Sequence, residues 1–80
     1  MKKVSAIVVN WNGKDILFEC LQSLLKQEYE DLEIWVSDNG SEDGSQAMLK
    51  ELYPSVHLVE NGENLGFGSA VNRALGKVQG

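Results

Sequence analysis

Residues 4–13 read Val4-Ser5-Ala6-Ile7-Val8-Val9-Asn10-Trp11-Asn12-Gly13, and this stretch decides the fold class. Its first six residues are mostly apolar and β-branched, which is the pattern of a strand buried on both faces of a parallel sheet. The last four are typical of a loop that follows such a strand. From Lys14 to Gln27 the apolar residues then recur with helical spacing, and Asn12 is placed to cap that helix. The chain therefore opens with a βα unit.

The same strand-then-helix pattern occurs twice more. A strand is predicted at 32–37, with a helix at 45–52 that Pro54 ends. A third strand at 56–60 precedes a helical pattern through residues 70–75. Because consecutive βα units form right-handed crossovers, the strands should be parallel. We predict an α/β fold of three consecutive βα units in one parallel sheet, the first half of a doubly wound domain.

Composition and charge restrict the class of protein. The 80 residues form at most one small domain, and 42% hydrophobic with 24% charged residues is ordinary for a globular chain. A net charge of −5 argues against a nucleic-acid partner, since phosphate backbones need a positive surface. Cys20 has no partner for a disulfide, and we expect it to be a small apolar residue on a helix.

The N-terminus gives no sign of a targeting segment. Met1-Lys2-Lys3 is followed by only about six apolar residues, fewer than a signal peptide or a membrane span requires. We expect a cytoplasmic protein, with membrane association left open for other parts of a parent protein.

Ligands of open parallel sheets bind beyond the carboxyl ends of the strands, and polar residues cluster there in this sequence. Trp11 offers a flat face on which a base can stack, and Asp38 can accept hydrogen bonds from a base or ribose. Gly66 allows close approach of backbone, while Asn72 and Arg73 supply donors. The predicted nucleotide-binding residues are Val9, Asn10, Trp11, Asn12, Asp38, Asn39, Asn64, Gly66 and Asn72.

Structural alternatives exist for several of these polar residues. Asn12, Ser41 and Asp43 could serve only as helix caps, and we favour that for Ser41 and Asp43. Arg73 could equally be a surface charge, and His57 is best interpreted as a structural residue.

Four blocks of the sequence, in the right order, resemble family-2 glycosyltransferases of the GT-A (Rossmann-like) fold. The last block is similar to the rhamnosyltransferase-like subgroup. The resemblance covers nearly all of residues 1–80, as the N-terminal nucleotide-binding part of a glycosyltransferase domain. The blocks are residues 4–13, 20–27, 33–41 and 64–72.

The resemblance implies an inverting transferase that uses a nucleoside-diphosphate sugar, UDP- or dTDP-linked, and a saccharide or lipid-linked acceptor hydroxyl. Residues 9–11 would contact the base, with Trp11 where the family often has tyrosine, and Asp38 would hydrogen-bond the base. Residues 64–72 would lie near the diphosphate. Cell-surface polysaccharide biosynthesis is the implied role.

Two elements of the family are missing from the chain. One is the Asp-x-Asp-type motif that binds Mg²⁺ or Mn²⁺, and the other is the carboxylate base that deprotonates the acceptor. No residue of the chain is therefore assigned to catalysis or to a metal. We expect the metal ligands of a complete enzyme to lie outside these 80 residues, and the isolated chain to be inactive.

Two other functions are compatible with parts of the pattern. A non-catalytic nucleotide-binding or interaction module would need no further segments. A dinucleotide-binding domain is weakly indicated by Gly66-Phe67-Gly68-Ser69-Ala70-Val71, which has two of three expected glycines and follows the wrong strand. For the sheet itself we expect strand one, residues 4–9, to form an exposed edge through which copies of the chain associate.

Overall fold

The computed structural model describes residues 4–27 and 31–79, and the predicted α/β architecture is confirmed there. Residues 1–3, which entered the targeting argument, lie outside the described part. The three strands form one parallel sheet in the order β1-β2-β3. The elements are β1 (Val4–Asn10), α1 (Lys14–Leu25), β2 (Leu32–Asp38), α2 (Ser45–Leu52), β3 (His57–Glu60) and α3 (Phe67–Gln79).

The register of the sheet decides which side chains share a face. Val8 pairs with Val36 and Asn10 pairs with Asp38, so the two polar residues end their strands side by side. Because side chains alternate along a strand, Asn10 and Asp38 lie on the same face as Val8 and Val36. Both strands are one residue longer than the sequence pattern predicts, which places these two residues in the sheet rather than in loops.

Helices α1 and α2 cover this first face of the sheet. Their apolar stripes pack against β2, and Leu21 and Val36 are completely buried. Burying a large aliphatic side chain contributes about 1.5–3 kcal/mol, so this layer supplies most of the apolar stabilisation. The core consists of Leu17, Leu21, Ile34, Val36, Met48, Leu49 and Tyr53.

Helix α3 lies on the opposite face, against β1 and β2. Ala70 and Ala74 are fully buried there, and small residues let the helix axis approach the sheet closely. The hydroxyl of Ser37 donates a hydrogen bond to the backbone oxygen of Ala70 at 2.8 Å. This contact fixes the start of α3 beside the carboxyl end of β2.

Some predicted boundaries are wrong. Helix α1 ends at Leu25 rather than Gln27, and its N-cap is Gly13, with no side-chain cap bond. Asn12 is therefore not the cap that the sequence suggested. Helix α3 begins at Phe67, three residues before the predicted apolar pattern. The sequence did not indicate this start, because the first residues of the helix, Phe67, Gly68 and Ser69, show no helical apolar spacing. Within the described residues, no helix is long and apolar enough to cross a membrane.

Candidate functional site

The candidate site lies at the carboxyl edge of the sheet, where the loops after all three strands meet. The register brings Asn10 and Asp38 together although they are 28 positions apart in sequence. Backbone bonds hold the loops at this edge as well. Asn39 N donates to Asn10 O, and Asn61 N donates to Asp38 O, both at 2.8 Å.

Asp38 is the centre of the first hydrogen-bond network. Its Oδ1 accepts from Asn10 Nδ2 at 2.9 Å and from Ser41 Oγ at 2.7 Å. Its Oδ2 accepts from Ser41 N at 2.9 Å and from Gln46 Nε2 at 2.8 Å. The residue is 0% exposed, so the protein itself provides the donors for both carboxylate oxygens. A buried carboxylate needs such partners, since its charge is costly to leave unpaired.

Ser41 and Asn12 join the first loop to the second. Ser41 Oγ accepts from Asn12 N at 2.8 Å, and Asn12 Oδ1 accepts from the backbone N of Glu42 at 2.7 Å. Asn12 has a φ of 51°, a left-handed conformation that asparagine tolerates better than most residues. The predicted cap roles of Ser41 and Asn12 are therefore wrong, because both connect loops. The result is a rigid turn that leaves Trp11 56% exposed.

A second network joins the loops after β2 and β3 to helix α3. Asn61 Nδ2 donates to Ser37 Oγ and to Asn39 Oδ1, each at 2.9 Å. The same Ser37 hydroxyl holds Ala70 in α3. A chain of side chains thus connects the middle strand, the third loop and the helix start.

Asn39 extends this network to the residues before α3. Its Nδ2 donates to Asn64 Oδ1 at 3.2 Å and to Gly66 O at 3.3 Å. The loops also touch through backbone at Gly40, whose φ is 76° and where a Cβ atom would lie 3.1 Å from backbone atoms of Glu63. A side chain at Gly40 would push the second and third loops apart.

The nine residues predicted for the site do not all take part equally. Asn10, Asp38 and Asn39 are buried in the two networks, whereas Trp11 and Asn12 are exposed at the rim. Val9 is half-buried on the α3 face of β1, away from its neighbour Asn10. The others are in or near α3: Asn64 and Gly66 bond with Asn39, and Asn72 is exposed on the helix.

Besides Ser41, three residues of the networks were not predicted from the sequence to belong to the site. Gln46, on the first turn of α2, reaches back to Asp38 and to Ser41 O. Ser37 and Asn61 link β2 to the third loop. For Ser37 the sequence contains an indication. A small polar residue in a strand, together with the small residues Ala70 and Ala74 on a helix, is typical of a close contact between the two elements.

The described residues do not fit the Mg²⁺ or Mn²⁺ site that the resemblance implies. No group of three or more His, Cys, Asp or Glu side chains comes together within residues 4–27 and 31–79. The Asp38 carboxylate, which would be the obvious oxygen donor, is already bonded on both oxygens. No chemical step through a metal is derived from these residues.

Asp43 stabilises the starts of two helices at the rim of the site. Its carboxylate accepts bonds from Lys14 N, the first residue of α1, and from both the N–H and the hydroxyl of Ser45, the first residue of α2. The Ser45 hydroxyl contributes most to lowering the pKa of Asp43; desolvation opposes the shift, and the backbone N–H groups of Lys14, Ser45 and Asp43 itself add to it. Asp43 is not the N-cap of either helix, since Gly13 and Gly44 occupy those positions, but its carboxylate bonds the first residue of both.

This arrangement predicts a stability effect at acid pH. Because the pKa of Asp43 is lower in the folded chain than in the unfolded one, its contribution is complete above the unfolded pKa of 3.8 and is lost as pH falls through the folded pKa. The difference in unfolding free energy between wild type and Asp43→Asn should therefore narrow below about pH 4.

Urea unfolding at a series of pH values measures that difference. Glu42→Gln is the matched control, since it removes an exposed carboxylate one residue away that bonds neither helix start. Its difference from wild type should stay nearly constant. If the difference in unfolding free energy between wild type and Asp43→Asn stays constant down to pH 2, within about 0.3 kcal/mol, the stabilising role assigned to the Asp43 carboxylate is contradicted.

Comparison with known proteins assigns the chain to a family. The model of glycosyl transferase family 2 matches residues 5–80. An uncharacterized glycosyltransferase of Haemophilus influenzae is 36% identical over 80 residues, covering 96% of this chain and 25% of that protein. YfnE of Bacillus subtilis, also named as an uncharacterized glycosyltransferase, is 38% identical over 81 residues, covering 98% of this chain and 21% of that protein.

A relative with a more specific name is the N-acetylglucosaminyl-diphospho-decaprenol L-rhamnosyltransferase of Mycobacterium tuberculosis, 33% identical over 72 residues, which are 90% of this chain and 24% of that protein. The chain thus spans about a quarter of the length of these relatives. No solved structure matches it significantly. The four sequence blocks, the parallel sheet and the family match over residues 5–80 agree: the chain belongs to glycosyl transferase family 2.

Proposed function

We propose that this chain provides the nucleotide-binding part of an inverting glycosyltransferase that takes a sugar from a nucleoside diphosphate. The donor would be UDP- or dTDP-linked, and the acceptor a saccharide or lipid-linked hydroxyl, in the synthesis of a cell-surface polysaccharide. Family membership supports glycosyl transfer, and the relative named as a rhamnosyltransferase supports a lipid-linked acceptor.

The observation that carries the proposal is the convergence of three loops at the carboxyl edge of the sheet. Two side-chain networks centred on Asp38 and Asn39 lock these loops together, while the Trp11 side chain stays 56% exposed. Rigid loops that present one flat aromatic face are suited to a base, because stacking then costs little ordering entropy.

The start of α3 suits the diphosphate. Ala70 N donates to Gly66 O, so the amides of residues 67–69 precede the first bond within the helix. Free amides and the helix dipole together favour an anion at this end. Gly66, with a φ of 83°, turns the chain into the helix without a side chain in the way.

Asp38 has a positioning role in this proposal. A direct bond from Asp38 to the base requires that one of its protein donors, such as Gln46 Nε2, be exchanged for a base N–H. The contact predicted from the resemblance thus stays a prediction, whereas the loop-holding role rests on four bonds.

Sugar transfer needs groups that these residues do not supply. Metal-assisted departure of the diphosphate and removal of the acceptor proton by a base each contribute large rate factors. We therefore expect this chain to bind donor without turning it over, in the cytoplasm where nucleotide sugars are available.

Replacing Trp11 by alanine should weaken the binding of UDP or dTDP by about 1–3 kcal/mol, since a stacked base is lost. Isothermal titration of the wild type and of Trp11→Ala with each nucleotide measures the change in affinity. Ile16→Ala is the control, because Ile16 is an exposed apolar residue on α1, outside the two networks. Equal affinity of wild type and Trp11→Ala for both nucleotides would refute the base site.

A further inference from the structure

A cavity on the flank of the molecule lies outside both hydrogen-bond networks. It has a volume of about 340 Å³ and lies between β3 and α3, on the face of the sheet opposite α1 and α2. None of its lining residues belongs to the candidate nucleotide site. They are Trp35, Leu58, Val59, Glu60, Arg73 and Lys77.

The charge of this cavity is the opposite of the charge of the chain. Arg73 and Lys77 are four positions apart on α3, and neither makes an ion pair with a described residue. Glu60, the acidic residue of the lining, is paired with Lys50 at 3.8 Å. Like charges four positions apart on a helix repel each other, so an anion between them would remove a repulsion. Both side chains are exposed, and in a chain of net charge −5 two cations in one cavity that pair with no described residue favour an anionic ligand.

Trp35 gives the cavity an aromatic wall. Its ring is stacked on His57, with centroids 4.3 Å apart and planes inclined by 16°, and His57 Nε2 lies 3.3 Å from Glu33 Oε1. This packing holds the indole in place. The Nε1 atom is buried and finds no acceptor among the described residues. Buried polar groups without partners are uncommon in proteins and call for an explanation.

We propose that the β3–α3 cavity is a second binding site, specific for a phosphate ester that carries an apolar or aromatic group. Arg73 would bind two phosphate oxygens through its guanidinium fork, and Lys77 would add a point charge. The attached apolar group would lie against Trp35 and Val59, whose side chains are on the α3 face of the sheet, whereas Leu58 packs against the core on the other face. This inference is independent of the proposed nucleotide site, because Arg73, which the sequence left open between a ligand donor and a surface charge, is not among the residues assigned to that site and lines this cavity.

The test uses Trp35 as its own reporter. The chain has two tryptophans, so in a Trp11→Phe background Trp35 is the single source of indole fluorescence and of the indole N–H resonance. That background is titrated at constant ionic strength with phenyl phosphate, inorganic phosphate and phenol. Phenyl phosphate should cause a saturable change in fluorescence and move the indole N–H resonance, and it should bind more tightly than either of its parts.

Two double variants locate the binding. Arg73→Gln with Lys77→Gln should raise the dissociation constant of phenyl phosphate at least about tenfold, because charge-assisted hydrogen bonds are lost. Lys14→Gln with Lys26→Gln removes the same charge from the first residue and the C-cap of α1 and should leave the constant within about twofold. Equal losses in the two double variants would mean non-specific ionic binding and overturn the site. So would inorganic phosphate binding as tightly as phenyl phosphate, or no saturable response at all.

Discussion

Replacing Asp38 by alanine is expected to lower the free energy of unfolding by about 3–5 kcal/mol. The carboxylate is completely buried and accepts four hydrogen bonds, two of them from Ser41. In the alanine variant Asn10 Nδ2 still donates to Ser41 Oγ, and Gln46 Nε2 still donates to Ser41 O. The N–H and hydroxyl of Ser41, by contrast, lose their acceptors in a site too enclosed for bulk water.

A loss of this size is large for this chain, because a domain of 80 residues has a total stability of roughly 4–12 kcal/mol. Urea unfolding followed by circular dichroism measures it. Asp38→Asn keeps the shape and one acceptor oxygen, so it should lose less than the alanine variant. Asp15→Ala, which removes an exposed carboxylate from the first turn of α1, is the control and should change stability by no more than about 1 kcal/mol. An Asp38→Ala variant that is as stable as this control would show that the network contributes little.

The second large effect concerns self-association through β1. In the described part of the chain β1 has one strand neighbour, β2, so its other side is an edge. Val4 N donates to Asp31 O and Asn10 O accepts from Asn39 N, both on the β2 side. Since backbone groups alternate in direction along a parallel strand, those of Ser5, Ile7 and Val9 point outward. An apolar strand with unpaired outward groups readily pairs with a second copy.

We expect the wild-type chain to dimerise at high concentration and Ser5→Pro to stay monomeric. Proline removes one outward N–H and leaves the bonds to β2 in place, which is why edge strands tolerate it. Val8→Lys, which the sequence alone would suggest, is unsuitable because Val8 packs against the core.

Light scattering after size-exclusion chromatography, over a concentration series, measures the effect. Ser5→Ala is the matched control, because it loses the same hydroxyl bond to Glu33 at this exposed position but keeps the backbone N–H. It should associate like the wild type. A wild-type chain that is monomeric at millimolar concentration, or a Ser5→Pro chain that dimerises equally, would contradict association through this edge.

The sequence was sufficient to predict the order of elements and the edge of the sheet at which the polar residues gather. The apolar run of β1 and the helical spacing in α1 are local patterns, and such patterns predict secondary structure directly. Three such units permit few topologies, so the parallel sheet and its carboxyl edge followed. The exposed position of Trp11 agrees with its place just after a strand.

Only the tertiary structure decided what the polar residues do at that edge. Ser41 and Asn12 have the side chains of helix caps, yet they bond each other's loops. Whether these side chains cap a helix or bond a neighbouring loop depends on the register that places Asn10 beside Asp38, and register is set by packing across the whole sheet. Asp38 is buried for the same reason, since donors 28 positions before it and 8 positions after it in the sequence converge on one carboxylate. A sequence pattern reports which groups can form hydrogen bonds, but the partners are chosen by contacts between segments that are distant along the chain.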